Sequence, residues 1–336
     1  GAPAAARVAA AVGLVPGAGG LATVEGDLLR AEPVARDALG RLRASVRTVI
    51  HCAGDTTFFP ESPGAFRAGH VDGPCALLRA LGGGALERWA QVSTAYVCGR
   101  RSGTVLEGEG DVGQAFHNPY ERVKLEAETA VRAAAAVAGV DCRVLRPAIV
   151  VGQAPLTAGG QPASLFFDFI RLVAAVGPLA GGRRPPLRIA AAPRAPFNVV
   201  PVDHVAAAVV ALAEAPAAGR GTFHLVVPEP PSQSAMLAMI AGHLGVTGLH
   251  LVDARTDSLR ARSPLEARVA KLLAPYREYL AQDVRFDDGA ARAALDGCGV
   301  ARPALDVSAV GRLVDQALAA APVEAGAAAA GAPGGG

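Results

Sequence analysis

Short apolar runs that end in glycine or small polar residues alternate with segments of helical periodicity over the first half of the chain. Strands are predicted at residues 21–25, 47–52, 86–93 and 142–145. Helices are predicted at 36–45, 64–81 and 118–138. Strand–helix repeats of this length require right-handed crossovers and a parallel sheet covered on both faces. The pattern therefore predicts an α/β, doubly wound fold.

The alternation becomes irregular after residue 152, where proline and glycine are dense up to residue 196. Helices are predicted there at 164–175, 201–213, 232–244, 256–280 and 306–320, with short strands at 197–200 and 222–226. The apolar stretch 163–180 fits either the wall of a substrate pocket or a core helix. We expect residues 1–152 to form one domain and 153–322 a smaller region whose elements return to the core. The Ala/Gly/Pro tail at 323–336 is predicted to be disordered.

Composition excludes several classes of function. The 336 residues carry a net charge of only +2 with scattered arginines, which argues against nucleic-acid binding. No uncharged, proline-free apolar run reaches membrane-spanning length, and no signal segment is predicted. The 5 cysteines form no Cys-x-x-Cys pair, and the histidines are dispersed. We therefore expect reduced thiols in a cytoplasmic protein without a metal site.

Tyr120 and Lys124 form the most informative pair in the chain. Lys124 and Lys271 are the only lysines among 32 basic residues, so a lysine at this position suggests a task that arginine does not perform. Four residues apart on a helix, the two side chains share a face. A nearby cation is expected to lower the pKa of the tyrosine and to make it a general acid or base. The alternative is a surface tyrosine stacked along a lysine stem.

Polar and small residues follow three of the predicted strands, where parallel sheets bind ligands. Thr94, beside Ser93, could hydrogen-bond a substrate oxygen, and Asp27 could accept a hydrogen bond from a nucleotide. Ala53 and Gly54 would let a flat ring or a diphosphate approach the backbone. For Thr94 and Asp27, the alternative is a local bond to the backbone as a helix cap or turn residue.

The order of these segments resembles the extended short-chain dehydrogenase/reductase family, and most closely its thioester reductase and fatty acyl-CoA reductase (male-sterility type) branch. The matching segments are Val24-Glu-Gly-Asp-Leu28, Val49-Ile-His-Cys-Ala53, His70-Val-Asp-Gly73, Val92-Ser-Thr-Ala-Tyr-Val97, Asn118-x-Tyr120-x-x-x-Lys124, Arg146-Pro-Ala-Ile-Val-Val-Gly152, Asn198-Val-Val-Pro-Val-Asp-His204, Tyr276-x-x-Tyr279 and Phe286-Asp287. The resemblance covers roughly residues 5–320. It implies a Rossmann-like domain at 1–152 that binds NAD or NADP, and a substrate-binding region at 153–322.

The resemblance also implies a role for each site residue. Tyr120 would exchange a proton with the reacting oxygen, Thr94 would polarise that oxygen, and Lys124 would hold the nicotinamide ribose. The remaining cofactor contacts would come from Asp27 and Leu28 at the adenine, Ala53 and Gly54 beneath the cofactor, and Pro147 and Ile149 beside the nicotinamide.

Two features depart from the family pattern. The family opens with a strand and a Gly-x-x-Gly-x-x-Gly turn that holds the diphosphate. Here residues 4–13 resemble a later helix, and the glycine-rich 16–20 is predicted to be a loop. We therefore expect a truncated chain without the first βαβ unit, which leaves NAD and NADP both open. The second departure is His70, where the family usually has a structural asparagine.

The function expected from these observations is NAD(P)-dependent reduction of a carbonyl or an acyl thioester, or oxidation of an alcohol. The substrate would be a small molecule, either an acyl thioester or an apolar carbonyl compound, and the macromolecular partner a second copy or a carrier protein. One alternative is a nucleotide-sugar epimerase or dehydratase, which uses the same Tyr/Lys pair. Another is an inactive fragment or a non-enzymatic binding protein.

Overall fold

A computed structural model describes residues 22–30, 32–152, 165–180, 187–215, 219–255, 261 and 263–319. The strands are β1 Thr48–His51, β2 Arg88–Val92, β3 Gly103–Val105, β4 Asp141–Pro147, β5 Ile149–Val151, β6 Leu187–Ala191, β7 Val199–Pro201, β8 Gly221–Leu225, β9 Leu249–Asp253 and β10 Val284–Phe286. The α-helices are α1 Arg36–Ser45, α2 Pro63–Arg67, α3 Gly73–Leu81, α4 Pro119–Ala138, α5 Leu165–Ala180, α6 Val202–Glu214, α7 Gln233–His243, α8 Pro264–Leu272, α9 Arg277–Ala281, α10 Gly289–Leu295 and α11 Val307–Ala319.

Among the described residues, the central sheet has four parallel strands in the order β1-β2-β4-β8. Successive residues of β2 show which helices cover each face of this sheet. Trp89 is fully buried beneath α3 and α4 together with Leu78 and Val131. Ala90 points to the opposite face, in the cluster that contains Leu212 of α6. Because side chains alternate along a strand, helices cover both faces, and the predicted doubly wound, Rossmann-like fold is confirmed.

A second core lies in the region after residue 152. Phe166, Phe169 and Ile170 of α5 are buried there against elements that include α7 and α11. Of the two interpretations of the apolar stretch at 163–180, the structure supports the core helix for the part it describes. Three two-stranded parallel pairs, β3–β10, β5–β7 and β6–β9, were not predicted as pairs. Strands of three to five residues carry too little periodicity to specify a partner.

Two predicted elements are wrong. Residues 22–25 form no strand, because they are exposed and exchange no ladder hydrogen bonds; only Gly26 bridges to Val34. The helix predicted over 256–280 is not continuous: its described residues from 263 onward form α8, a 3₁₀ turn at Ala274–Tyr276 and α9. Pro275 lies in that turn and lacks the backbone N–H that a continuous helix would use.

Several predictions concern residues outside the described ranges, among them the segment 4–13, the glycine-rich stretch 16–20 and the tail 323–336. Within the described ranges, no helix combines the length and apolarity needed to cross a membrane. The same residues contain no group of three or more His, Cys, Asp or Glu side chains that could hold a metal ion.

Candidate active site

Helix α4 carries the Tyr/Lys pair, and its start is strongly specified. The Asn118 side-chain oxygen accepts a hydrogen bond from Glu121 N at 3.1 Å, and Pro119 occupies the first helical turn, where a missing N–H costs little. Tyr120 therefore lies in the first turn, and Lys124 lies one turn later on the same side of the helix.

Lys124 connects this helix to the end of β2. Its Nζ donates a hydrogen bond to the backbone oxygen of Val92 at 2.7 Å, and the side chain is only 7% exposed. Burial lowers the pKa of the ammonium to about 8, although the nearby carboxylate of Glu128 opposes this shift. A cation is thus held at the carboxyl end of a parallel strand, where open α/β sheets bind ligands.

Thr94 follows Val92 by two residues and is buried at the same edge of the sheet. Its Oγ1 accepts a hydrogen bond from Tyr96 N at 3.2 Å and caps the 3₁₀ turn Ala95–Cys98. The local interaction considered as an alternative is therefore present. It uses the hydroxyl as an acceptor, so the hydroxyl proton can still be donated to a substrate oxygen. Neighbouring Ser93 has a buried Oγ without a hydrogen-bond partner among the described residues.

The pKa of Tyr120 is raised to about 12, first by burial and second by the neighbouring carboxylate of Glu121. The expected lowering by Lys124 is wrong in direction. Lys124 gives a hydrogen bond to Val92 instead, while a low-dielectric setting and an adjacent anion both disfavour a phenolate. Tyr120 is therefore a neutral phenol near pH 7, which is the form that donates a proton.

Ala53 and Gly54 lie just beyond the carboxyl end of β1, and both are exposed. A Cβ added to Gly54 would lie 3.0 Å from His70 Nε2. His70 also makes an edge-to-face contact with the Tyr120 ring, with centroids 6.2 Å apart. His70, which departs from the family pattern, thus lies between the segment Ala53–Gly54 and the ring of Tyr120.

Leu28 packs against the start of α3, and the neighbouring Asp27 is exposed. Asp27 forms the local turn considered as an alternative, because its Oδ1 accepts from Leu29 N at 2.9 Å; it also pairs with Arg30. A Cβ on Gly73 would lie 2.4 Å from the backbone oxygen of Leu28. Only glycine at residue 73 permits this close approach of the 27–28 segment.

Pro147 is the buried last residue of β4, and the half-buried Ile149 opens β5. Site residues thus lie at the carboxyl ends of three neighbouring strands. Ala53 and Gly54 follow β1, and Thr94 follows β2, whose last residue is bonded to Lys124. Pro147 ends β4, and Ile149 comes two residues later. A cation, a hydroxyl and small residues at one sheet edge fit the nicotinamide–ribose end of a dinucleotide. The predicted loop at 16–20 lies outside the described residues.

Sequence reasoning gave no role to the polar cluster beside Tyr120, which consists of His117, Asn118, Glu121 and Tyr279. The available signals were the Asn-Pro helix start and the Tyr276-x-x-Tyr279 spacing. Neither reveals that two segments about 160 positions apart meet.

A family model for male sterility protein matches residues 19–209. That match covers more than half of the 336-residue chain. The chain belongs to the male sterility protein family. This family consists of NAD-binding proteins and lies within the extended short-chain dehydrogenases/reductases. The family resemblance is therefore confirmed, and so is the expected cofactor class of NAD or NADP.

No curated protein sequence matched this member of the family. Among solved structures, the terminal R domain from the myxalamid PKS-NRPS biosynthetic pathway is 21% identical with a TM-score of 0.68, covering 88% of this chain and 74% of that one. RMD from Pseudomonas aeruginosa, complexed with NADPH, is 17% identical with a TM-score of 0.57 and coverages of 87% and 86%. UDP-glucuronic acid 4-epimerase from Bacillus cereus, in complex with NAD, is 17% identical with a TM-score of 0.57 and coverages of 84% and 77%. At these identities the similarity establishes the fold.

Proposed function

We propose that this protein is an NAD(P)-dependent oxidoreductase that reduces a carbonyl compound or an acyl thioester, or oxidises the corresponding alcohol. One observation carries the proposal. The Lys124–Val92 hydrogen bond joins the Tyr/Lys helix to the strand after which Thr94 follows. This hydrogen bond supports a site in which the Tyr120 phenol, the Thr94 hydroxyl and the Lys124 cation act together at the ligand-binding edge of a parallel sheet.

In the direction of reduction, the cofactor supplies a hydride. Tyr120 would donate its phenolic proton to the carbonyl oxygen, and Thr94 would donate a hydrogen bond to the same oxygen. Lys124 would stabilise the negative charge that develops when the proton leaves. The Tyr120 phenol is neutral near pH 7 and holds the proton to be donated, but its pKa of about 12 makes it a weaker acid than a free tyrosine.

We assign cofactor contacts by position to the residues along the same edge. Ala53 and Gly54 would pass beneath the dinucleotide, and Pro147 and Ile149 would flank the nicotinamide. Asp27 and Leu28 would face the adenine; Asp27 is exposed, so it has oxygen capacity beyond its own turn. Lys124 would hold the nicotinamide ribose.

Aromatic rings lie beside Tyr120 and support an apolar substrate, while the polar cluster of His117, Asn118, Glu121 and Tyr279 lies at the start of the same helix. Phe58 lies 6.2 Å from the Tyr120 ring, and the Tyr279 ring is stacked 5.9 Å from Phe58, with Tyr96 at 5.4 Å from Tyr279. We propose an acyl thioester or an apolar carbonyl compound as the substrate, as the resemblance implies. A carrier protein is the macromolecular partner that the resemblance to thioester reductases implies. All 5 cysteines are free thiols, which supports a cytoplasmic setting.

Replacement of Tyr120 tests the proposal. Tyr120→Phe removes the proton donor and keeps the ring, so we expect turnover to fall by about 10²- to 10⁴-fold while the affinity for the dinucleotide is retained. Binding is followed by NADH and NADPH fluorescence, and turnover by the change in absorbance of the nicotinamide. Persistent turnover of Tyr120→Phe would contradict the role of Tyr120.

Two other results would favour the alternatives. Conversion of a nucleotide sugar without net consumption of NADH would indicate an epimerase or dehydratase. Undetectable binding of both dinucleotides at millimolar concentration would indicate an inactive fragment or a non-enzymatic binding protein.

A further inference from the structure

A fully buried carboxylate lies directly beside Tyr120. Glu121 is 0% exposed and accepts a hydrogen bond from the backbone N of His117 at 2.8 Å. The His117 Nδ1 lies 3.0 Å from the same carboxylate. A further hydrogen bond comes from outside this turn, because the Tyr279 hydroxyl donates to Oε1 of Glu121 at 2.5 Å. A buried carboxylate is tolerated only where such donors converge on it, so this site is closely specified.

Tyr279 reaches the start of α4 from a distant part of the sequence. It lies in α9, in the region after residue 152, and its hydroxyl also accepts a hydrogen bond from Asn118 Nδ2 at 2.6 Å. Asn118 is the residue that caps α4 through its other side-chain atom, Oδ1. The one hydroxyl of Tyr279 thus contacts both the cap and the first turn of the helix that carries Tyr120.

The Tyr279 ring makes a second connection to the same place. It stacks on His117 with centroids 4.6 Å apart and on Phe58 at 5.9 Å. Phe58 in turn contacts the Tyr120 ring at 6.2 Å. Two independent routes, one of hydrogen bonds and one of rings, therefore lead from Tyr279 to the phenol.

We propose that Tyr279 is a positioning residue for Tyr120, acting through Glu121 and Asn118 on the first turn of α4. The phenol of Tyr120 then reaches its working position only when α9 of the C-terminal region is docked against that turn. This inference rests on the proposed function, since the position of the phenol matters for proton transfer.

The C-terminal segment supplies its own control. Tyr276, three residues earlier, also donates its hydroxyl to a carboxylate, Oδ2 of Asp168 at 2.8 Å. Asp168 belongs to α5 in the second core and not to α4. Tyr279→Phe and Tyr276→Phe therefore each remove one hydroxyl-to-carboxylate hydrogen bond from the same segment, but only the first variant removes the contact with the helix that carries Tyr120.

We expect Tyr279→Phe to lower kcat by about tenfold to a hundredfold, the effect of a misplacement of the order of 1 Å, while the KM for the dinucleotide stays within about twofold. Tyr276→Phe should keep kcat within about twofold of the unchanged protein, because its lost bond does not touch α4. Equal losses of kcat in the two variants would reduce Tyr279 to a general stabilising residue and overturn the proposal. An unchanged kcat in Tyr279→Phe would overturn it as well.

Amide hydrogen exchange of the segment 117–124 gives a readout that needs no activity. Tyr279→Phe should accelerate exchange there by about tenfold or more, since each 1.4 kcal/mol of lost local stability is a factor of ten, and Tyr276→Phe should leave it unchanged. Unchanged protection in Tyr279→Phe would overturn the positioning role even if kcat fell. If Tyr120→Phe remained active while exchange responded as expected, the proposed function would fail and the contact from Tyr279 to α4 would stand.

Discussion

Lys124→Met is expected to change the pH dependence of folding stability in a defined direction. The pKa of Lys124 is lowered from 10.5 to about 8, chiefly by burial. Below pH 8 the ammonium is charged in both the folded and the unfolded chain, and its burial costs stability in full. At about 1.4 kcal/mol per pKa unit, that cost is about 3 kcal/mol. Methionine has a similar length and no charge, so it removes the cost.

The sign follows from proton linkage. Between pH 8 and 10.5 the unfolded chain holds a proton on Lys124 that the folded chain has lost, so rising pH stabilises the unchanged protein. The variant lacks this gain. It also leaves the Val92 oxygen without its hydrogen bond from Nζ, which costs about 1–3 kcal/mol at every pH. The informative quantity is therefore the change with pH, and not the difference in stability at one pH.

The assay is urea unfolding of both proteins from pH 7 to 10.5, followed by circular dichroism. The free energy of unfolding of the unchanged protein should rise relative to Lys124→Met by about 3 kcal/mol across this range. Buried thiols such as Cys142, whose pKa is raised by burial, lower stability at high pH, but they do so in both proteins. Lys271→Met, at the exposed lysine of α8, is the matched control and should run parallel to the unchanged protein.

Parallel pH profiles for Lys124→Met and the unchanged protein would refute the reasoning, because they would show that burial does not disfavour the ammonium. Turnover gives a second comparison. Under the proposed function, Lys124→Met should lose activity at pH 7 even where its stability is unchanged. Destabilisation and loss of activity would then be separate effects.

Two further predictions concern the supports of the site. Gly73→Ala should weaken dinucleotide binding, as measured by fluorescence titration. The added Cβ would lie 2.4 Å from the Leu28 oxygen and would displace the 27–28 segment. Gly64→Ala is the control and should bind normally, because the space around its Cβ is open. Arg146→Met should lower the free energy of unfolding in urea by about 3–5 kcal/mol, since it leaves the buried carboxylate of Glu128 without the guanidinium at 2.7 Å. Adding Glu128→Gln should recover part of that loss; a double variant less stable than Arg146→Met would contradict this account.

Elements with strong local signals were predicted well. Helix α1 has the predicted bounds 36–45, which its periodicity indicated, and α4 begins directly after its cap Asn118, because both signals are encoded within a few residues. The strand predicted at 21–25 is absent over the described residues 22–25, because a strand also depends on a partner elsewhere in the chain. An apolar run indicates strand propensity, but a strand forms only where a neighbour exchanges backbone hydrogen bonds with it.

In the candidate site, too, local signals were predictable and contacts that depend on the fold were not. Spacing alone put Tyr120 and Lys124 on one face of a helix. The place of Thr94 after a predicted strand made it a candidate, and the resemblance added its role. The pKa of Tyr120 could not be predicted from that spacing. Its direction depends on burial and on the charge of Glu121, while the cation that was expected to lower it is bonded to Val92.

The sequence by itself determined which residues could carry proton chemistry and to which family the chain is related. These are properties of residue type, order and spacing, and they do not require knowledge of distant contacts. Only the tertiary structure decided how those residues behave. The Tyr279 hydroxyl meets Glu121 across a separation of 158 positions, and this contact has no local signature. The physical reason is that burial, hydrogen bonding and pKa depend on neighbours in space, which packing alone brings together.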